Sequence, residues 1–375
     1  MRFDALIAGA GPAGSVAALL LARAGWSVAL VEKSSFPRRK VCGEFVSAAA
    51  MPVLEACGLA DAFVGAAGPP VMQLGLYAGE TMLISPARHF WGRALGREHL
   101  DTMLRDAAVL AGARLFQPAR LVAAARGGNG YLCDLHDAQH RRQIVANTVI
   151  AACGSWNAEG RFAIPRHETA PSDLFAFKAH FHGSRLPPGL MPLLAFPGGY
   201  GGMVQSDGGR LSLSCCIRRD TLTAARHRHG GRAAQAVWAH IAATTKGAAQ
   251  VLEGAVPDGA LSVGPIRPGI RLRQRDGIFF TGNIAGEAHP IIAEGIGMAI
   301  QSSAVLAGRL ITGGPHGRIG ADYDVVWRRC FATRIRIAAV FAHLAMRGST
   351  SKACRGIIMR FPGLLDWGAR VSGKT

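Results

Sequence analysis

An α/β fold of two lobes, closed by C-terminal helices, is what this 375-residue sequence predicts, and three patterns predict it. The first is an opening stretch, DALIAGAGPAGSVAALLLARAGWSVALVEK, residues 4–33, which reads as strand, glycine turn, helix and strand. The second is the segment 171–217. There strand-like runs (LFAFKAHF, GMVQS, RLSLSCCI) alternate with turns (LPPG, FPGGYGG, SDGG), as in an antiparallel sheet. The third is an arginine-studded amphipathic run over 323–347 with helical spacing. At 49% hydrophobic residues the chain can bury a sizeable core.

Each part of the opening unit has a mechanical job. Ala5 to Ala8 forms a short apolar strand that feeds Gly9, Gly11 and Gly14. Gly9 permits the tight turn, Gly11 lets the backbone approach a pyrophosphate, and Gly14 lets helix and strand pack closely. Pro12 and Ala13 open a helix that runs to Ala24 and stops at Gly25. Its N-terminus offers free N–H groups and a partial positive charge to phosphates. The second strand, 27–31, ends at Glu32, placed to accept hydrogen bonds from a ribose, with Lys33 beside it. This is a Rossmann-like dinucleotide fingerprint. It does not by itself separate FAD from NAD, but its position at the start suits FAD, whose site later segments can complete.

Further along, Ser47 is placed to cap a helix ending near Cys57–Gly58. QLGLYA and TMLISP read as short strands. GREHLDTMLRDAAVLAGA reads as a helix with Leu100, Met103, Leu104, Ala107 and Ala108 on one face. Residues 121–124 and 131–135 suggest a hairpin, and the strand 144–152 ends in Cys153–Gly154. Residues 233–243 look helical, and GIFFTG, 277–282, is a short buried strand. A loop with Pro290 then leads to Gly295, Ile296, Gly297 and a helix reaching Leu310. A helix that begins at two glycines offers unblocked N–H groups to the anionic edge of a reduced flavin.

These motifs together resemble the FAD-dependent oxidoreductase superfamily of geranylgeranyl reductases, flavin halogenases and p-hydroxybenzoate-hydroxylase-type monooxygenases. Gly9, Gly11, Gly14 and Glu32 match its FAD fingerprint. Arg97 with Leu100, Asp101 and Leu104 matches its second signature, in which the arginine approaches the FAD phosphates. Residues 282–297 match its third, with Asn283 where the family usually has an Asp on the ribityl chain. Lys40-Val41-Cys42-Gly43-Glu44 looks like the KxCGE segment of the geranylgeranyl-reductase group. Cys153–Gly154 stands where many monooxygenases carry Asp-Gly, the halogenase WxWxIP motif is absent, and the reductases' substrate aromatics are replaced by Leu193-Leu194-Ala195-Phe196-Pro197.

The resemblance implies a Rossmann-like FAD-binding domain of the glutathione-reductase type, assembled from 1–70, 96–160 and 268–315. It also implies an antiparallel β-sheet substrate domain from 71–95 and 161–267, and a C-terminal helical region over 316–375. It places FAD against Gly9, Gly11, Pro12, Ala13, Gly14, Glu32, Lys33, Cys42, Gly43, Arg97, Gly154, Gly282, Asn283, Pro290, Gly295, Ile296 and Gly297, with NADPH or NADH as electron donor. Cys42, Glu44 and His289 are the candidate catalytic residues. The expected activity is hydroxylation of a hydrophobic aromatic or polyketide-like molecule. A prenyl or alkene reductase, a flavin halogenase and, from another class, a non-catalytic flavin-binding electron carrier are the alternatives.

The charge balance, Lys+Arg 42 against Asp+Glu 24, gives +18 and favours phosphates, anionic lipid or acidic partners. The arginines are scattered without an aromatic-interleaved motif, which argues against nucleic acid. None of the eight cysteines forms CxxC and no His/Cys cluster has metal spacing. Reduced thiols in a cytoplasm are the simplest account of them. No run is long enough to span a bilayer. The arginine helix reads either as a peripheral contact with an anionic membrane or as a packed helix with a solvated basic face. Cys215 and Cys216, adjacent in a strand, should face opposite sides of the sheet.

Overall fold

The computed structural model describes residues 1–86, 90–128, 130–137, 139–155 and 168–346, and beyond these Arg360, Gly363, Trp367 and Gly368. The start of the expected 161–267 segment, Cys354 and most of the chain after 346 lie outside the described residues.

The first lobe is built on an eight-stranded sheet. Its main path runs Gln274–Arg275, Ile278–Phe280, Arg141–Ala151, Arg2–Ala8, Val28–Val31 and Arg114–Phe116. The last five of these pair in parallel. Parallel strands are covered on both faces, so they are apolar throughout; all four residues of Val28–Val31 are buried. The hairpin Arg120–Gly127 and Gly130–His136 hangs antiparallel from Arg141–Ala151. The helices Pro12–Arg23, Arg97–Leu110 and Gly295–Thr312 pack together against this sheet.

The second lobe is a seven-stranded sheet in the order Val256–Ile266, Leu174–His182, Leu211–Arg218, Gly199–Gln205, Leu190–Phe196, Gln73–Ala78, Thr81–Pro86. It is antiparallel except that Leu190–Phe196 runs parallel to Gln73–Ala78. Period-two alternation sorts its side chains. Phe177, Phe181, Leu211, Leu213, Cys215 and Ile217 join a core with Val237, Ile241 and Ala248 of the helices Ala233–Thr244 and Lys246–Leu252. Trp238 meets Phe177 and Phe181 edge-on. Cys216 belongs instead to the cluster with Ala176 and Tyr200 on the opposite face, so the two adjacent cysteines do point apart. The described cysteines are free.

Two expectations are corrected. Ser47 makes no capping hydrogen bond; its hydroxyl donates to Glu294 Oε2 at 2.9 Å. The helix expected after it opens as a 3-10 turn, Ala48–Ala50, before Met51–Ala56, because Pro52 fits only a first turn; it ends at Cys57–Gly58 as expected, where Gly58 turns the chain at φ 63°, and Ala60–Ala66 is a further helix. The strands Leu190–Phe196 and Val256–Ile266 and the helix Arg219–His229 were not legible. Pro192 interrupts the first, and the second is a largely solvated edge without an apolar alternation. The helix His316–Met346 begins earlier than expected. It joins the first lobe's core through Tyr323, Trp327, Phe331 and Ile335 and reaches the sheet's cavity-side cluster through Ala342. Its Arg328, Arg329 and Arg336 are exposed. No helix among the described residues is long and apolar enough to cross a membrane.

Candidate active site

The C-terminal ends of the parallel strands open onto one cavity of about 590 Å³, whose other wall is the inner face of the seven-stranded sheet. Glycines build the strand-end wall. Gly9 has φ 109°, and a Cβ there would lie 2.5 Å from Ala152 O. A Cβ on Gly14 would sit 1.8 Å from Gly9 O, so the helix Pro12–Arg23 approaches its strand as only glycine allows. Gly11 is different. The space beside it is open, flanked by Arg97 Nη2 at 3.7 Å and Arg38 Nη2 at 4.0 Å from an ideal Cβ.

Positive groups gather there. Arg97 is held by Asp101 through Nε–Oδ1 at 2.6 Å and Nη2–Oδ2 at 2.8 Å. Burial would lower its pKa, but Asp101 outweighs that and raises it. Burial and the like charge of Arg38 pull Lys40 down to about 8. Arg38 pairs with Glu32, yet its Nε is buried without an acceptor among the described residues. Glu32 accepts four hydrogen bonds: Ala10 N and Arg38 Nη2 on Oε2, Ser34 N and Arg38 Nη1 on Oε1. A carboxylate has about four such sites, so a ribose can bind Glu32 only by displacing Arg38.

The turn Cys42–Gly43–Glu44 crosses from this wall to the sheet. A Cβ on Gly43 would meet Ser214 Oγ at 3.1 Å. Glu44 is fully buried and has φ 62°. Its carboxylate pairs with Lys178 Nζ, with His180 Nε2 at 2.8 Å and with Arg97 N at 3.2 Å. Burial would raise its pKa; the His180 hydrogen bond and the Lys178 charge overcome this and bring it to about 2.

At the far end Tyr200, 1% exposed, lies 3.2 Å through its hydroxyl from His289 Nδ1. Burial and Cys216 push the Tyr200 hydroxyl well above its ordinary pKa. Burial and the nearby His343 lower His289 to about 4, so the imidazole is neutral near pH 7. Burial also lifts the thiols of Cys153 to about 11 and Cys216 to about 12. Asn283 Nδ2 donates to Ser155 Oγ at 2.9 Å. The backbone of Gly295 starts the helix Gly295–Thr312 with no atom within 4 Å of an ideal Cβ.

These features fit an extended dinucleotide. The guanidiniums of Arg97 and Arg38, paired with Asp101 and Glu32, flank the open side of Gly11, where a pyrophosphate would place its charge, and the Arg38 Nε–H has no acceptor among the described residues. The free amides at Gly295 suit the anionic edge of a flavin ring. The residues that would hold FAD are the turn Gly9–Gly14, Glu32, Arg38, Arg97, Gly282, Asn283 and Gly295–Ile296, and bound FAD would supply the redox chemistry.

The family model for the FAD binding domain matches residues 2–312, and the chain belongs to that family. Menaquinone reductase of Mycobacterium tuberculosis is 34% identical over 122 residues, 32% of this chain. That match spans 30% of the relative, less than a third of its length. Among solved structures, the flavin-dependent brominase Bmp2 superposes with TM-score 0.80 at 19% identity, over 100% of this chain and 94% of that one. PqsL of Pseudomonas aeruginosa, described as a probable FAD-dependent monooxygenase, gives TM-score 0.72 at 17% identity, over 93% and 98%. At these identities the structural likeness carries the fold alone. What the comparisons show of this chain is membership of the FAD binding domain family.

The cavity brings together most residues singled out in the sequence: Gly9, Gly11, Pro12, Ala13, Glu32, Lys33, Cys42, Gly43, Glu44, Arg97, Gly154, Gly282, Asn283, Pro290, Gly295 and Ile296. Three stand behind it. Gly14 serves helix–strand contact, as its spacing indicated. Gly297 packs against the Ser47–Glu294 pair, 2.9 Å from each if given a Cβ. His289 reaches the cavity only through Tyr200. The sequence motifs do not single out Tyr200, which lines the cavity, or Lys178 and His180, which hold Glu44. The signal for Lys178 and His180 was present: two polar residues two apart in the apolar run LFAFKAHF share one strand face.

Proposed function

We propose that the protein is a monooxygenase that hydroxylates a hydrophobic aromatic or polyketide-like molecule, drawing electrons from NADH or NADPH. The observation that carries this reading is the cavity's second wall. It is lined by Met191, Met203, Val204, Val263 and Ile266, with Tyr200, Ser214 and Ser262 among them. A mostly apolar wall with a few hydroxyls suits a greasy ring bearing a hydroxyl. The His289 imidazole, neutral near pH 7, meets the Tyr200 hydroxyl at 3.2 Å and orients it for a hydroxyl on the substrate.

A prenyl or alkene reductase is the second reading, and the menaquinone reductase identity together with Lys40–Glu44 favours it. The holoenzyme with NADPH separates the two. A hydroxylase consumes oxygen faster when given a long-chain alkylphenol and incorporates label from 18O2 into it. Saturation of a prenyl quinone without oxygen, and no labelled phenol, would replace hydroxylation with reduction.

A further inference from the structure

We propose that Glu44 is a positioning residue for the cofactor cleft: it ties the Cys42–Gly43–Glu44 turn and the first turn of the helix Arg97–Leu110 to the inner face of the seven-stranded sheet. This rests on FAD-family membership and is independent of the choice between hydroxylase and reductase.

The N–H groups at a helix start lack intrahelical acceptors. Here two carboxylates from other elements supply them. Asp207 Oδ1 accepts from Gly96 N at 2.6 Å, and Glu44 Oε1 from Arg97 N at 3.2 Å. The helix so capped carries Arg97, whose guanidinium borders the open side of Gly11. Glu44 is itself immobilised. Lys178 and His180 from the strand Leu174–His182 hold its carboxylate, and its carbonyl accepts from Leu95 N at 3.1 Å. Its N–H donates to Cys42 Sγ at 3.4 Å. A left-handed backbone at a non-glycine residue persists only where its surroundings fix it. Fully buried and taken up by three donors, the carboxylate holds the elements around it, while the turn it fixes faces the cavity.

A buried ion pair could also be nothing more than a staple of the fold, and three variants separate the roles. Lys178→Met removes the cation, so that changes at Glu44 no longer strand a buried charge. In that background Glu44→Gln keeps an acceptor for Arg97 N, and Glu44→Leu removes it. The measurements are melting of the FAD-free chain, FAD affinity from flavin fluorescence, and visible circular dichroism of bound flavin. We expect the Gln form to bind FAD nearly as well as Lys178→Met alone. The Leu form should bind about tenfold more weakly or worse, with a changed flavin spectrum, while the two FAD-free chains melt together. Equal affinity and identical spectra for Gln and Leu would overturn the proposal. So would an affinity loss in the Leu form wholly matched by its loss of stability.

Discussion

The two sheets border one cavity in opposite ways. The eight-stranded sheet offers its strand ends, so its contribution is backbone: the turn Gly9–Gly14, Gly154, Gly282 and the amides at Gly295. The seven-stranded sheet offers a face, so its contribution is side chains: Ala176 on one strand, Ser214 and Cys216 on the next, with Lys178 and His180 holding Glu44. Backbone sites demand glycine at fixed spacing, and many ligands of one shape can share them. A face demands only that every second residue suit the ligand. The first wall therefore suits a class of cofactor, and on the function proposed above the second would select the substrate.

The largest effect should come from the glycines of the first wall. Gly14→Ala, with its Cβ driven into Gly9 O, should cost about 3 kcal/mol of stability in a denaturant titration. Gly11→Asp meets no backbone and should fold normally, yet purify without flavin because it puts bulk and negative charge where phosphate belongs. If both variants lose the same property, the two glycines do not have separate jobs.

On the second wall, Tyr200→Phe should leave FAD affinity unchanged and lower kcat/KM for a hydroxylated substrate by about tenfold, the worth of one good hydrogen bond. A matching loss of flavin would show that the walls are not separable in this way.

Acid should expose the coupling between them. His289 is held near 4 when folded, against an ordinary 6.5. The unfolded chain therefore binds the extra proton first, and stability falls as pH drops from 6.5 towards 4. Glu44, held near 2 against 4.5, adds a further loss below 4.5. His289→Gln, which cannot titrate, should flatten the upper part of the profile while leaving the lower part. Denaturant midpoints at pH 7, 5.5, 4.5 and 3.5 would read it.

The smallest effect is expected at Ser47→Ala, which removes the donor to Glu294 beneath the helix Gly295–Thr312. It should cost about 1 kcal/mol in thermal unfolding and leave flavin binding intact.

The sequence by itself determined the cofactor class and the frame that carries it. Gly9, Gly11 and Gly14 are readable because each is required by local geometry, and the helical and strand periods around them are local too. Only the tertiary structure decided what Glu44, Ser47, Tyr200 and His289 do. Glu44 meets residues 134 and 136 positions away, Ser47 meets Glu294, and Tyr200 meets His289. Such partners are chosen by how the two sheets close on one another, and spacing along the chain carries no record of that closure.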